Sequence, residues 1–184
     1  MTYALAIRRV LIVIGLGLLL AGCERTNRWQ EEVQLSDGTV LKVDRAISYR
    51  APSGPLGQPI GRRALEERLS FADPDTGRHV EWHESRRTVF WLDRIDTQVW
   101  LVARLSTPCE SGFGHLPLWQ VYLLRGDQWE AVDPAGAPVV QARNLLTTAY
   151  PVTKQLRYVS LSDKQRLNAR YRQDAIDLAR KSGC

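Results

Sequence analysis

The run Val33-Gln34-Leu35-Ser36-Asp37-Gly38-Thr39-Val40-Leu41-Lys42-Val43 decides the fold class. Strand-forming residues flank Ser-Asp-Gly, and glycine supplies the positive φ of a tight hairpin at no steric cost. The second strand extends through Ala46, Ile47 and Tyr49. Downstream, Asp73-Pro74-Asp75-Thr76-Gly77 is a turn joining a strand near 68–72 to His79-Val80-Glu81-Trp82-His83. The residues before it, 64–69, are ambiguous: good helix formers, with Leu65, Leu69 and Phe71 also fitting strand alternation. Residues 88–92 and 98–105 flank Asp93-Arg94-Ile95-Asp96, and their long apolar runs predict central strands covered on both faces. A fourth pair, 118–124 with 128–132, meets at Gly126-Asp127, while the Pro- and Gly-rich stretch 52–59 reads as irregular loop.

Four hairpin-like units without βαβ alternation predict an α+β, mostly β domain: an antiparallel hairpin meander or incomplete barrel with one C-terminal helix. For that helix, Ser162 and Gln165 form a capping-box pattern. Leu167, Tyr171, Ala175 and Leu178 recur on one helical face, and Gly183 ends it. The spacing predicts a helix over about 163–181, packed on the sheet.

The first 22 residues belong to a different physical problem. Arg8 and Arg9 precede an apolar run from Val10 to Leu20 that is too short to cross a bilayer comfortably, since about 20 residues are needed. Leu20-Ala21-Gly22-Cys23 closes it and resembles the lipobox of bacterial lipoproteins. That resemblance implies a signal peptide over 1–22, cleavage before Cys23 and lipidation of the Cys23 thiol. A lipidated tether over 23–28 and a single globular domain over 29–184 follow. The alternative is an uncleaved membrane anchor with an incidental cysteine. Residue 24 is Glu rather than the Asp associated with inner-membrane retention, so the resemblance favours the outer membrane, facing the periplasm. Beyond residue 23 the chain resembles small proteobacterial lipoproteins of unknown function.

With Cys23 lipidated, Cys109 and Cys184 remain in an oxidising compartment, where a disulfide is the natural pairing. Two free thiols, or Cys184 bonded to another chain, are the alternatives. The formal charge is +5, of which Arg8 and Arg9 contribute two, leaving a mature domain near +3. Nothing in that balance argues for a nucleic-acid partner.

Candidate chemistry is sparse. His79-x-Glu81-x-His83 could offer metal ligands, yet on a strand the two histidines lie about 13 Å apart, and a solvated polar face is the stronger reading. Glu110, Ser111, Phe113 and His115 sit in a Gly-rich loop beside Cys109. Its glycine spacing is not that of a nucleophile elbow, which leaves it as a candidate binding loop and not a hydrolase centre. All six tryptophans fall after Cys23; Trp91 and Trp100 read as core, and Trp29, Trp82 and Trp129, with polar neighbours, as partly exposed. The expectation is therefore a non-enzymatic envelope lipoprotein with no catalytic residue, metal or cofactor, held to a membrane by its N-terminal lipid and binding an envelope protein. The rivals are a periplasmic inhibitor or immunity protein against a toxin, and a disguised hydrolase or metal-binding enzyme.

Overall fold

A computed structural model of the protein describes residues 24–50, 63–106, 117–138, 143–146 and 157–168. Strands β1 (Glu24–Gln34), β2 (Val40–Arg50), β3 (Arg63–Ala72) and β4 (His79–Ser85) form one antiparallel meander. Strands β5 (Arg87–Ile95), β6 (Gln98–Leu105), β7 (Trp119–Arg125) and β8 (Gln128–Val132) form a second. A two-residue strand, β9 (Tyr158–Val159), adds in parallel to β1, giving sheet order β4-β3-β2-β1-β9. The domain is mostly β, as expected, with two sheets that do not close into a barrel.

The turn chemistry explains the register. Gly38, Gly77 and Gly126 all adopt positive φ at hairpin ends. Asp37 and Asp73 brace their turns by accepting backbone N–H bonds from Thr39 and Thr76. Asp96 takes the same left-handed conformation at the β5–β6 turn, which an aspartate tolerates. The ambiguous 64–69 segment is strand throughout, because β2 and β4 pair with it on either side. Helix propensity loses there to two ladders of hydrogen bonds.

Odd-numbered residues of β1, β2 and β3 and even-numbered residues of β4 face the second sheet. They place Val33, Leu41, Val43, Leu69, Phe71, Val80 and Trp82 in one core with Val89, Leu92, Leu101 and Tyr122. Trp29 and Trp82 are therefore 4% and 2% exposed, correcting the expectation of partial exposure. Their polar neighbours alternate onto the opposite face. Trp91 is buried as expected, while Trp100 and Trp129 are half-buried.

The chain passes between the sheets at Arg86, whose φ of 66° is costly for a residue with a Cβ. The corner is held because Arg86 N–H donates to the Leu65 carbonyl and its own carbonyl accepts from Ser106. Strand β5 is covered on both faces, as predicted, but it lies at a sheet edge and not centrally. Asn144 occupies part of that edge: its side chain accepts from Leu92 N–H and donates to the Leu92 carbonyl, like a strand neighbour. The same amide reaches the Gln34 carbonyl on β1 at 3.3 Å, so one residue clips the two sheets together.

Two boundaries differ from expectation. Residues 24–28, read as a tether, belong to β1 and pair with β2 as far as Glu24 opposite Arg50. Helix α1 (Leu161–Asn168) starts two residues earlier than predicted. Its cap is Ser160 with Asp163: each backbone N–H is bonded by the other's side-chain oxygen at 3.2 Å, and Ser162 with Gln165 is not the box. Residues 169–181 of the expected helix lie outside the described residues.

Asn144→Ala should remove the clip with little change in volume. Urea unfolding is expected to show a loss of roughly 2–3 kcal/mol, because Leu92 loses both edge partners. A loss below about 0.5 kcal/mol would contradict the clip.

Candidate functional site

Most residues singled out from the sequence, namely Cys23, Cys109, Glu110, Ser111, Phe113, His115 and Cys184, lie outside the described residues. The His79-x-Glu81-x-His83 face is placed: all three side chains are exposed on β4, an edge strand. No cluster of three potential metal ligands forms there or elsewhere among the described residues.

The sequence reading missed a charge cluster inside the sandwich. Glu31 on β1, Arg45 on β2 and Glu67 on β3 all occupy core-facing positions. Register places Glu31 opposite Val43 and Glu67 opposite Ile47, so Arg45 is the diagonal neighbour of both. Arg45 donates to Glu31 at 2.8 Å and forms a close ion pair with Glu67. From α1, Lys164 completes the group, its Nζ 2.5 Å from the second oxygen of Glu31. Two carboxylates face two cations, and the side chains of Glu31, Arg45 and Glu67 are fully buried.

Backbone groups satisfy most of what remains. The Leu146 N–H donates to Glu31, while its carbonyl accepts from Arg45 at 2.7 Å. The Val89 N–H reaches Glu67 from β5, and the Asn144 carbonyl accepts from Lys164 at 2.7 Å. The Trp29 indole donates to Glu31, and its ring lies 4.9 Å from the Arg45 guanidinium carbon, a cation–π contact. One cluster thus joins three strands of the first sheet, the edge of the second, the 143–146 segment and the C-terminal helix.

On the other side of the same strands lies an open groove of about 930 Å³. Thr26, Arg28, Gln30, Asp44, Arg68, Ser70 and Glu81 line it across β1 to β4, with Arg157 beside β9. Period-2 alternation explains the pairing of surfaces: the strands that bury charge inward present polar side chains outward. Gln30 donates to Asp44 at 3.2 Å across the groove floor, and Arg68 pairs with Glu66 at its edge. Arg28 and Arg157 have no ion-pair partner among the described residues. Such a surface can bind an extended polar chain through side chains of both charges.

The buried cluster sets an electrostatic condition on folding. Burial alone would raise the Glu31 pKa, but Arg45 and Lys164 overcome it and hold the carboxyl below its ordinary value. Burial lowers the Arg45 pKa against the pull of Glu31, and it lowers Lys164 in the same way. A carboxyl depressed in the folded state stabilises the protein above its unfolded pKa of about 4.3, and that contribution is lost as pH falls through the folded value.

Glu31→Gln should therefore be less stable than the parent at neutral pH and should lose less on acidification. Thermal unfolding from pH 7 down to pH 3 is the check, with the two curves converging as pH falls below about 4.3. Parallel curves across that window would rule out Glu31 as a charged partner.

A scan against protein-family models and searches of curated proteins and of solved structures found no match.

Proposed function

We propose that the chain is a lipid-anchored protein of the bacterial envelope whose sandwich serves as a non-enzymatic binding module for an envelope protein. The observation that carries the reading is the position of the lipobox-like segment immediately before β1 in the chain. Strand β1 begins at Glu24, the residue after Cys23 of the lipobox-like Leu20-Ala21-Gly22-Cys23. Cleavage before Cys23 would leave every described strand intact. A thioether-linked lipid there would hold β1 directly under the headgroups, since adjacent Cα atoms are about 3.8 Å apart.

The binding face in this reading is the polar groove over β1 to β4, whose exposed backbone-rigid rows suit an extended partner segment. A periplasm-facing position on the outer membrane accords with Glu24 following Cys23. An inhibitor or immunity role would rest on the Gly-rich loop at 110–115, which lies outside the described residues, and no observation favours it over the groove.

The N-terminal peptide of protein isolated from membranes should carry diacylglycerol on Cys23, and Cys23→Ser should leave the precursor uncleaved. Cross-linked capture of a partner should fall at least about tenfold for Arg68→Glu with Ser70→Arg, and stay unchanged for Thr97→Lys at the far turn. A mature N-terminus elsewhere would overturn the anchor. Capture indifferent to the groove variant would overturn the binding face.

A further inference from the structure

Of the outermost strands, β9 has two residues, β8 has five, and β5 is partly covered by Asn144. Strand β4 has seven, and no strand lies beyond it among the described residues. It carries no proline, lysine or bulge, devices that ordinarily blunt a sheet edge against another strand.

The ladder to β3 fixes which backbone groups of β4 are spare. The Asp73 N–H donates to the Arg78 carbonyl at one end, and the Arg86 N–H to the Leu65 carbonyl at the other, at 2.8 and 2.9 Å. The register between them is unbroken, so Val80, Trp82 and Glu84 bond β3. His79, Glu81, His83 and Ser85 therefore turn their N–H and C=O groups outward. One of these groups is in use: the Glu81 carbonyl accepts from the Trp129 indole at 2.9 Å. The Trp129 ring packs against the core and approaches from that side, and the carbonyl keeps a second lone pair. The side chains of the same four residues are all exposed, on one face of the strand.

This row is complementary to itself. We infer that β4 pairs antiparallel with β4 of a second copy, about a twofold axis at Trp82, the midpoint of the strand. In that register His79 stands opposite Ser85 of the second copy, and Glu81 opposite its His83. Symmetry repeats both pairings. The spare backbone groups of each pair face one another, so each pair exchanges two backbone hydrogen bonds. Each Glu81 carboxylate also meets an imidazole that can donate to it, at the Cβ separation of about 5 Å found for directly opposed residues. Centring the axis on Glu81 would set the two carboxylates against each other. Moving it to Val80 would leave His83 and Ser85 with no strand residue opposite. The pairing joins two five-stranded sheets into one and brings the two polar grooves onto the same face. It does not depend on the lipid anchor; two copies anchored in one membrane would place the twofold axis along its normal.

Sedimentation equilibrium of the full-length protein in density-matched detergent is the test. A monomer–dimer equilibrium with a Kd below about 100 μM is expected. Glu81→Lys should weaken it roughly tenfold, since both carboxylate–imidazole pairs are lost together. Adding His83→Glu to that variant should restore the Kd to within about threefold, because opposite charges again face each other. His83→Pro should abolish the dimer by removing an outward N–H. Urea unfolding of the charge variants should match the parent, because their backbone groups take no part in the ladder to β3. A monomer at every concentration up to about 100 μM would overturn the inference. A dimer that Glu81→Lys and His83→Pro both leave intact would place the contact elsewhere and also overturn it. A Glu81→Lys defect that His83→Glu fails to repair would overturn the register about Trp82.

Discussion

The Arg45 guanidinium, held between Glu31 and Glu67 inside the sandwich, is the interaction on which the other parts depend. Removing these charges from water costs several kcal/mol per ion, and their mutual attraction offsets that only when geometry and further hydrogen bonds are good. Here the further bonds come from elsewhere in the chain: Leu146 supplies both backbone groups, Val89 an N–H, and Lys164 a second cation. Each is therefore required where it sits, because its departure would leave a buried charge undersatisfied. An apolar core of equal volume could be as stable, but it would not dictate where the 143–146 segment and α1 dock. The cluster acts chiefly as a registry device, selecting one arrangement of late chain segments on an early sheet.

That role bears on how residues 157–168 are attached. Strand β9 contributes only two residues to the ladder beside β1. Around it, Glu32 accepts from the Leu161 N–H and from the Tyr158 hydroxyl, while neighbouring Glu31 takes Lys164 into the interior. Two consecutive glutamates on β1, pointing to opposite faces, thus hold the same segment from both sides of the sheet. Alternation along a strand makes this possible without a long interface.

The hairpins are legible in the sequence because turn residues and period-2 patterning are local signals. Asp37-Gly38, the 73–77 turn and Gly126-Asp127 all fall where that chemistry puts them. Relations between sheets are not legible: the edge position of β5 depends on which strand pairs with which, and β9 is too short to pattern. Trp29 and Trp82 look exposed when judged by their chain neighbours, whereas burial follows alternate positions. The same correction exposes the signal for the charge cluster. In Trp29-x-Glu31-x-Val33, Leu41-x-Val43-x-Arg45-x-Ile47 and Glu67-x-Leu69-x-Phe71, a charged residue sits on an otherwise apolar parity. Three adjacent strands doing this with opposite signs are the sequence signature of a buried cluster. Lys164 carries no such signal, since a lysine on a polar helix ordinarily faces solvent. The expected capping box fails by two residues because Ser160-x-x-Asp163 competes with Ser162-x-x-Gln165 for the same helix start.

Glu31 and Lys164 should stabilise the fold through each other, and the registry role depends on that coupling. A double-mutant cycle built from Glu31→Gln, Lys164→Met and the pair, read by urea unfolding, measures it directly. Coupling of at least ~1.5 kcal/mol is predicted, with the double variant less destabilised than the sum of the single ones. Additivity within about 0.5 kcal/mol would mean that the helix docks without the buried pair, and would contradict the registry role.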